Sequence, residues 1–110
     1  MTNYKKEIAK TIFTQLGGQE FAIMTGLKTI GALDGNSLRA GGAIFEFKDG
    51  FSVKVELTSK DLYDVKYYPA SNTKLGIQRD TDLYGDMLRD SFTRLTGYNT
   101  YMPIILRKWT

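Results

Sequence analysis

Near the start of the chain, Ile8, Ile12, Phe13 and Leu16 recur at helical spacing, with Lys5, Lys6, Lys10 and Gln15 elsewhere on the wheel. Asn3 can cap the first turn, and Gly17-Gly18 ends it because glycine accepts the left-handed C-terminal conformation. The pattern predicts a helix over 4–16. Phe21-Ala22-Ile23-Met24 is a short apolar run and reads as a buried strand, interrupted at Thr25-Gly26. Leu27 to Leu33 extends that strand after a bulge. Asp34-Gly35-Asn36 marks a turn, and Gly41-Gly42 a further break.

The clearest alternation runs from Ile44 to Leu57. Phe45 and Phe47 alternate with Glu46 and Lys48, and Val53, Val55 and Leu57 with Lys54 and Glu56. Asp49-Gly50 between them is a hairpin signature. A two-residue loop would set Lys48 opposite Phe51 and Glu46 opposite Val53, mixing charge into the core face. A three-residue loop, Lys48-Asp49-Gly50, pairs Phe47 with Phe51 and Phe45 with Val53. It leaves one face wholly apolar, with Gly50 in the left-handed position of a bulged turn, and this register is expected.

A further strand spans Leu62 to Tyr68, with Tyr63, Val65 and Tyr67 on its core face. A three-residue turn near Thr58-Ser59-Lys60 pairs Val55 with Tyr63 and sets Lys54 opposite Asp64. A five-residue turn would instead oppose Lys54 with Lys66 and Glu56 with Asp64. Like charges directly opposite destabilise a sheet, so the shorter turn is expected. Residues 69–79 read as a loop. Asp80-Thr81-Asp82 then opens a second helix with Tyr84, Leu88, Phe92 and Leu95 as its apolar stripe, helped by Leu83 and Met87 and ended by Gly97. Residues 101–110, with Pro103 before Ile104-Ile105-Leu106, read as an edge strand or a latch.

Helix, four strands and helix in that order define one α+β domain over 1–110. The expected fold is a two-layer sandwich, an antiparallel sheet of three to five strands with the N-terminal and C-terminal helices on one face. The 110 residues leave little room for a second domain. The chain has no Cys and no His, which removes disulfides, thiol nucleophiles and imidazole-based acid–base or zinc chemistry. No apolar run approaches the roughly 20 residues that span a bilayer. No secretory leader is evident at the start, and a cytoplasmic location is expected.

The formal charge of +3 is small for a nucleic-acid binder. Phe45, Phe47, Tyr63 and Tyr67 could stack bases, but the expected register turns them inward. Lys48, Lys54 and Lys66 on the outer face are balanced by Glu46, Glu56 and Asp64. The surplus positive charge lies at the termini, in Lys5, Lys6, Lys10, Arg107 and Lys108, the candidate nucleic-acid contacts. Asp82, Asp86 and Asp90 would form an acidic stripe on the second helix, read as a solvated face rather than a metal site. The glycine pairs lack phosphate-loop spacing. Tyr98, Tyr101, Met102 and Trp109 are candidate protein contacts, since Trp, Tyr and Arg dominate interface hot spots.

The chain also resembles a small uncharacterised family of proteins from phages and integrated mobile elements of bacteria. The resemblance lies in Leu16-Gly17-Gly18, Phe21, Met24-Thr25-Gly26 and Lys28. It continues through Val53-Lys54-Val55-Glu56-Leu57 and Asp61-Leu62-Tyr63-Asp64-Val65, and resumes at Tyr84, Leu88, Phe92 and Thr96-Gly97-Tyr98. It implies a phage or mobile-element setting and carries over no catalytic residue. The expected function is non-enzymatic: protein–protein contact as an accessory protein or an inhibitor of host or defence machinery. The alternative is nucleic-acid binding through the basic termini. No cofactor, metal or membrane is expected, and the chain is expected to be a monomer or a homodimer.

Overall fold

The computed structural model describes residues 4–35, 39–70 and 76–100. Three helices lie on one face of a five-stranded antiparallel sheet, the α+β sandwich expected from the pattern. In chain order the elements are α1 (Tyr4–Leu16), α2 (Gly18–Thr25), β1 (Leu27–Leu33), β2 (Arg39–Phe47), β3 (Ser52–Thr58), β4 (Tyr63–Tyr68), β5 (Gln78–Leu83) and α3 (Leu88–Thr96). A single 3-10 turn, Gly85–Met87, leads into α3. The strands lie side by side in sequence order. Local hairpins therefore build most of the sheet.

The apolar run Phe21–Met24 belongs to α2 and not to a strand. Helical spacing decides it: Phe21 and Thr25, one turn apart, are buried, while Ile23 between them faces solvent. Thr25 Oγ1 donates to the Phe21 carbonyl at 2.7 Å, and Gly26 closes the helix at φ 70°. Phe21 is thereby placed at the centre of the core, in edge contact with Phe13, Phe45, Phe47 and Phe92 at ring separations of 5.1–6.2 Å.

Gly41-Gly42 is no break; both lie inside β2, which begins at Arg39. A Cβ on Gly42 would come within 2.2 Å of the Val55 carbonyl oxygen, so the β2–β3 approach requires glycine there. The β2–β3 hairpin has the expected register, Phe45 opposite Val53, with Phe47 N–H donating to the Phe51 carbonyl at 3.1 Å and Gly50 at φ 93°. Ala43, Phe45, Phe47, Phe51, Val53, Val55 and Val65 are buried against the helices.

The β3–β4 register differs from the expected one by two residues: Val55 faces Val65, Lys54 faces Lys66 and Glu56 faces Asp64. This is the five-residue-turn register that charge pairing disfavoured, Thr58 to Leu62 lying between the Leu57–Tyr63 pair; within it Thr58 N–H donates to the Leu62 carbonyl at 2.8 Å and narrows the turn to Ser59-Lys60-Asp61. Asp61 takes the left-handed position at φ 62° that Gly50 takes in the other hairpin. A third strand resolves the charge conflict. Arg39 of β2 places Nε 3.2 Å from Glu56 and Nη1 3.0 Å from Asp64. Lys66 Nζ lies 3.8 Å from the other Glu56 oxygen. The expected Lys54–Asp64 pair is therefore replaced by an Arg39 bridge across two carboxylates.

Asp80-Thr81-Asp82 does not open a helix; it lies in β5. Leu83 is buried opposite Tyr63, and Asp80 accepts from Ser91 Oγ at 2.9 Å and pairs with Arg94, fastening β5 to α3. Only the later part of the expected stripe is inside: Leu88 and Phe92 are buried and Leu95 half-buried, whereas Tyr84 and Met87 are exposed. Gly97 ends α3 at φ 81°. Beyond it, Arg89 clasps Thr100, Nε to Oγ1 at 2.9 Å and Nη2 to the carbonyl at 2.7 Å, while Nη2 also meets Glu20 at 2.8 Å. The guanidinium lies over Gly17, where a Cβ would come within 2.8 Å of it. The edge strand or latch expected in 101–110 lies outside the described residues. No helix among the described residues is long and apolar enough to cross a membrane.

Candidate protein-contact site

α1 packs over β1 and β2, and α3 over β4 and β5. Between them the ends of β3 and β4 are left partly uncovered. The result is a groove of about 200 Å³ lined by Glu7, Ile8 and Thr11 of α1 and by Leu57 and Tyr63. It brings together two aliphatic side chains, a hydroxyl, a phenol and one carboxylate. Burial, and then the charge of Asp61, push the Tyr63 phenol above its ordinary value, so it stays neutral at ordinary pH.

The segment between β5 and α3 packs against α1. It leaves the sheet at Leu83, opposite Tyr63, and touches α1 at Gln15, one turn beyond Thr11. Gly85 makes that contact possible, since a Cβ there would overlap the Gln15 amide at 2.1 Å. Gln15 Oε1 is buried and has no donor among the described residues. On either side of Gly85 the chain turns Tyr84 and Met87 outward, 65% and 43% exposed. A sequence pattern that treats both as core overlooks Gly85. A glycine in the middle of an apolar helical stripe is the signal that marks the break.

A second hollow of about 250 Å³ lies at one end of the sheet, lined by Arg39, Thr58, Ser59, Lys60, Asp64 and Asp82. Two of its charges, Arg39 and Asp64, are already committed within the fold. Arg39 bridges Glu56 and Asp64, and Asp82 N–H donates to Asp64 Oδ1 at 3.2 Å. The acidic stripe of Asp82, Asp86 and Asp90 is dispersed, because the three lie on β5, the 3-10 turn and α3. No group of three or more metal-ligating side chains converges among the described residues.

Tyr98, expected as a partner contact, is half-buried and joined to the β2–β3 hairpin. Its ring stacks on Phe51 at 5.1 Å, and its hydroxyl donates to Asp49. That hydrogen bond, with lesser help from burial and the charges of Asp49 and Tyr67, raises the phenol above its ordinary value. Lys5 pairs with Asp34 at 3.1 Å, while Lys6 and Lys10 lie exposed on α1. Tyr101, Met102, Trp109, Arg107 and Lys108 lie outside the described residues, so the meeting of basic termini has no geometry here. No family model, curated protein or solved structure matches the chain.

Proposed function

We propose that this chain is a small binding protein that acts by contacting another protein, with Tyr84 and Met87 as its anchor. The supporting observation is the outward placement of two large side chains on the turn that leads into α3. Tyr and Met are enriched at interfaces, where aromatic anchors concentrate binding energy. The groove has room for one or two partner side chains. The absence of Cys and His from the sequence favours binding over catalysis. The phage or mobile-element setting, as an accessory protein or an inhibitor of host or defence machinery, rests on the family resemblance.

Affinity capture from host cells, with nuclease treatment, tests this reading. The wild type should retain a protein partner that the Tyr84→Ala/Met87→Ala double variant loses. The variant should keep its thermal stability, because both side chains lie outside the core. An unchanged partner set would refute the site. Capture that disappears with nuclease and falls steeply with salt would instead support nucleic-acid binding.

A further inference from the structure

We propose that the face of the sheet turned away from the helices docks an acidic helix of a partner protein, met by a row of cations that crosses β3, β4 and β5. Lys54 lies directly opposite Lys66, and Lys66 directly opposite Arg79. Opposed residues share a face, and Lys54 alternates with the buried Val53 and Val55, so the three side chains stand together on the bare side. β2 extends the row with Ile44, and β1 with Gly31. Like charges directly opposite destabilise a sheet. In the neighbouring acidic row, Arg39 bridges Glu56 and Asp64 and relieves that repulsion. The cationic row has no comparable bridge. Lys66 reaches Glu56 only at 3.8 Å, and neither Lys54 nor Arg79 pairs with a carboxylate among the described residues. All 12 Asp and Glu residues of the sequence lie among the described residues, so this chain has no further side-chain carboxylate to supply.

The occupant is a helix because the spacing matches. Adjacent strands set the cations about 4.8 Å apart. Acidic side chains at i, i+4 and i+7 of a helix stand at intervals of about 5–6 Å. A helix laid across the strands therefore brings one carboxylate over each of Arg79, Lys66 and Lys54. Its i+11 side chain then meets Ile44, which is half-buried and suits an apolar residue. Gly31 and Gly42, on either side of Ile44, carry no side chain to hold the helix off. A single-stranded nucleic acid fits less well. Such sites join a basic track to aromatic platforms for the bases. Of the strand residues on this face only Tyr68 is aromatic, and it is half-buried. This surface is separate from the turn carrying Tyr84 and Met87, which packs against α1 on the helical side, so neither proposal depends on the other.

Amide NMR titration of the full chain tests the proposal with three probes. One is an alanine-based helical peptide with Glu at i, i+4 and i+7 and Leu at i+11; the second has Gln in place of each Glu; the third is oligo-dT. The Glu peptide should shift amides centred on Ile44, Lys54, Lys66 and Arg79, and bind about tenfold or more tighter than the Gln peptide. Lys54→Gln/Arg79→Gln should weaken the Glu peptide by a similar factor, with unchanged or raised stability to urea because two like-charge contacts are gone. The Gln peptide keeps the test valid whatever that variant does to folding. Tyr84→Ala/Met87→Ala should bind the Glu peptide as the wild type does, which separates this surface from that anchor. No binding, equal affinity for the two peptides, or shifts centred elsewhere would overturn the proposal. Tighter binding of oligo-dT at the same residues would overturn it in favour of nucleic acid.

Discussion

Replacing Arg39 by methionine removes a guanidinium while keeping an apolar stem of similar reach. In the native sheet Glu56 and Asp64 stand directly opposite each other, and Arg39 lies within 3.2 Å of both. The Arg39 side chain is 30% exposed and those of Glu56 and Asp64 are 17% and 13% exposed, so the cluster is neither surface-screened nor fully desolvated. Exposed pairs contribute about 0.2–1 kcal/mol and charge-assisted hydrogen bonds in protected sites about 1.5–3 kcal/mol. Each contact here falls between, near 1 kcal/mol. Like charges left opposite across a strand pair add a few tenths more. Arg39→Met should therefore cost about 2 kcal/mol, read by urea unfolding, or roughly 8–16 °C in Tm for a domain of this size. Adding Glu56→Gln in the Arg39→Met background should recover about 0.5 kcal/mol. The double-mutant cycle should give a coupling of roughly 1 kcal/mol that shrinks with salt. A loss below about 0.5 kcal/mol, or no coupling, would refute the claim that Arg39 sets the β3–β4 register.

Phe21→Ala should cost about 3–5 kcal/mol by the same unfolding assay, because it empties the point where rings from α1, β2 and α3 converge; a loss under about 1.5 kcal/mol would deny α2 its core role. Asp61→Gly should stabilise by about 0.5 kcal/mol, since glycine adopts φ 62° without strain. In an ultraviolet pH titration, the Tyr98 phenol should ionise above the ordinary tyrosine range, and Asp49→Asn should bring it back down. The raised value means that the Tyr98 contribution to stability is fully present below the ordinary tyrosine pKa and is lost as pH climbs through the raised one; a Tyr98 titration unmoved by Asp49→Asn would deny the hydrogen bond.

α1, the central hairpin and the layer architecture were legible in the residues. Their periodicity is long and their turn carries Asp-Gly. The β3–β4 turn has the same hydrogen-bond pattern as the first hairpin, yet Ser59-Lys60-Asp61 contains no glycine to announce it. The two registers also keep the same residues inward, so apolar alternation could not separate them. Charge pairing between two strands pointed the wrong way because the deciding cation, Arg39, comes from a third strand. α2 was hidden by its brevity, since a four-residue apolar run fits a strand and a helical turn equally well. β5 was hidden by its polarity. The candidate site was not legible: the pattern put Tyr84 and Met87 in the core, and their outward placement depends on Gly85 meeting Gln15, a contact between distant parts of the chain.

The Arg89 clasp has a mechanical consequence. Thr100 is held by both its hydroxyl and its carbonyl, on the helix-bearing side of the molecule. Whatever follows in sequence is launched from a fixed origin, and pulling on it loads α3 before any strand. A fluorophore attached at Thr100 would report on the helical layer.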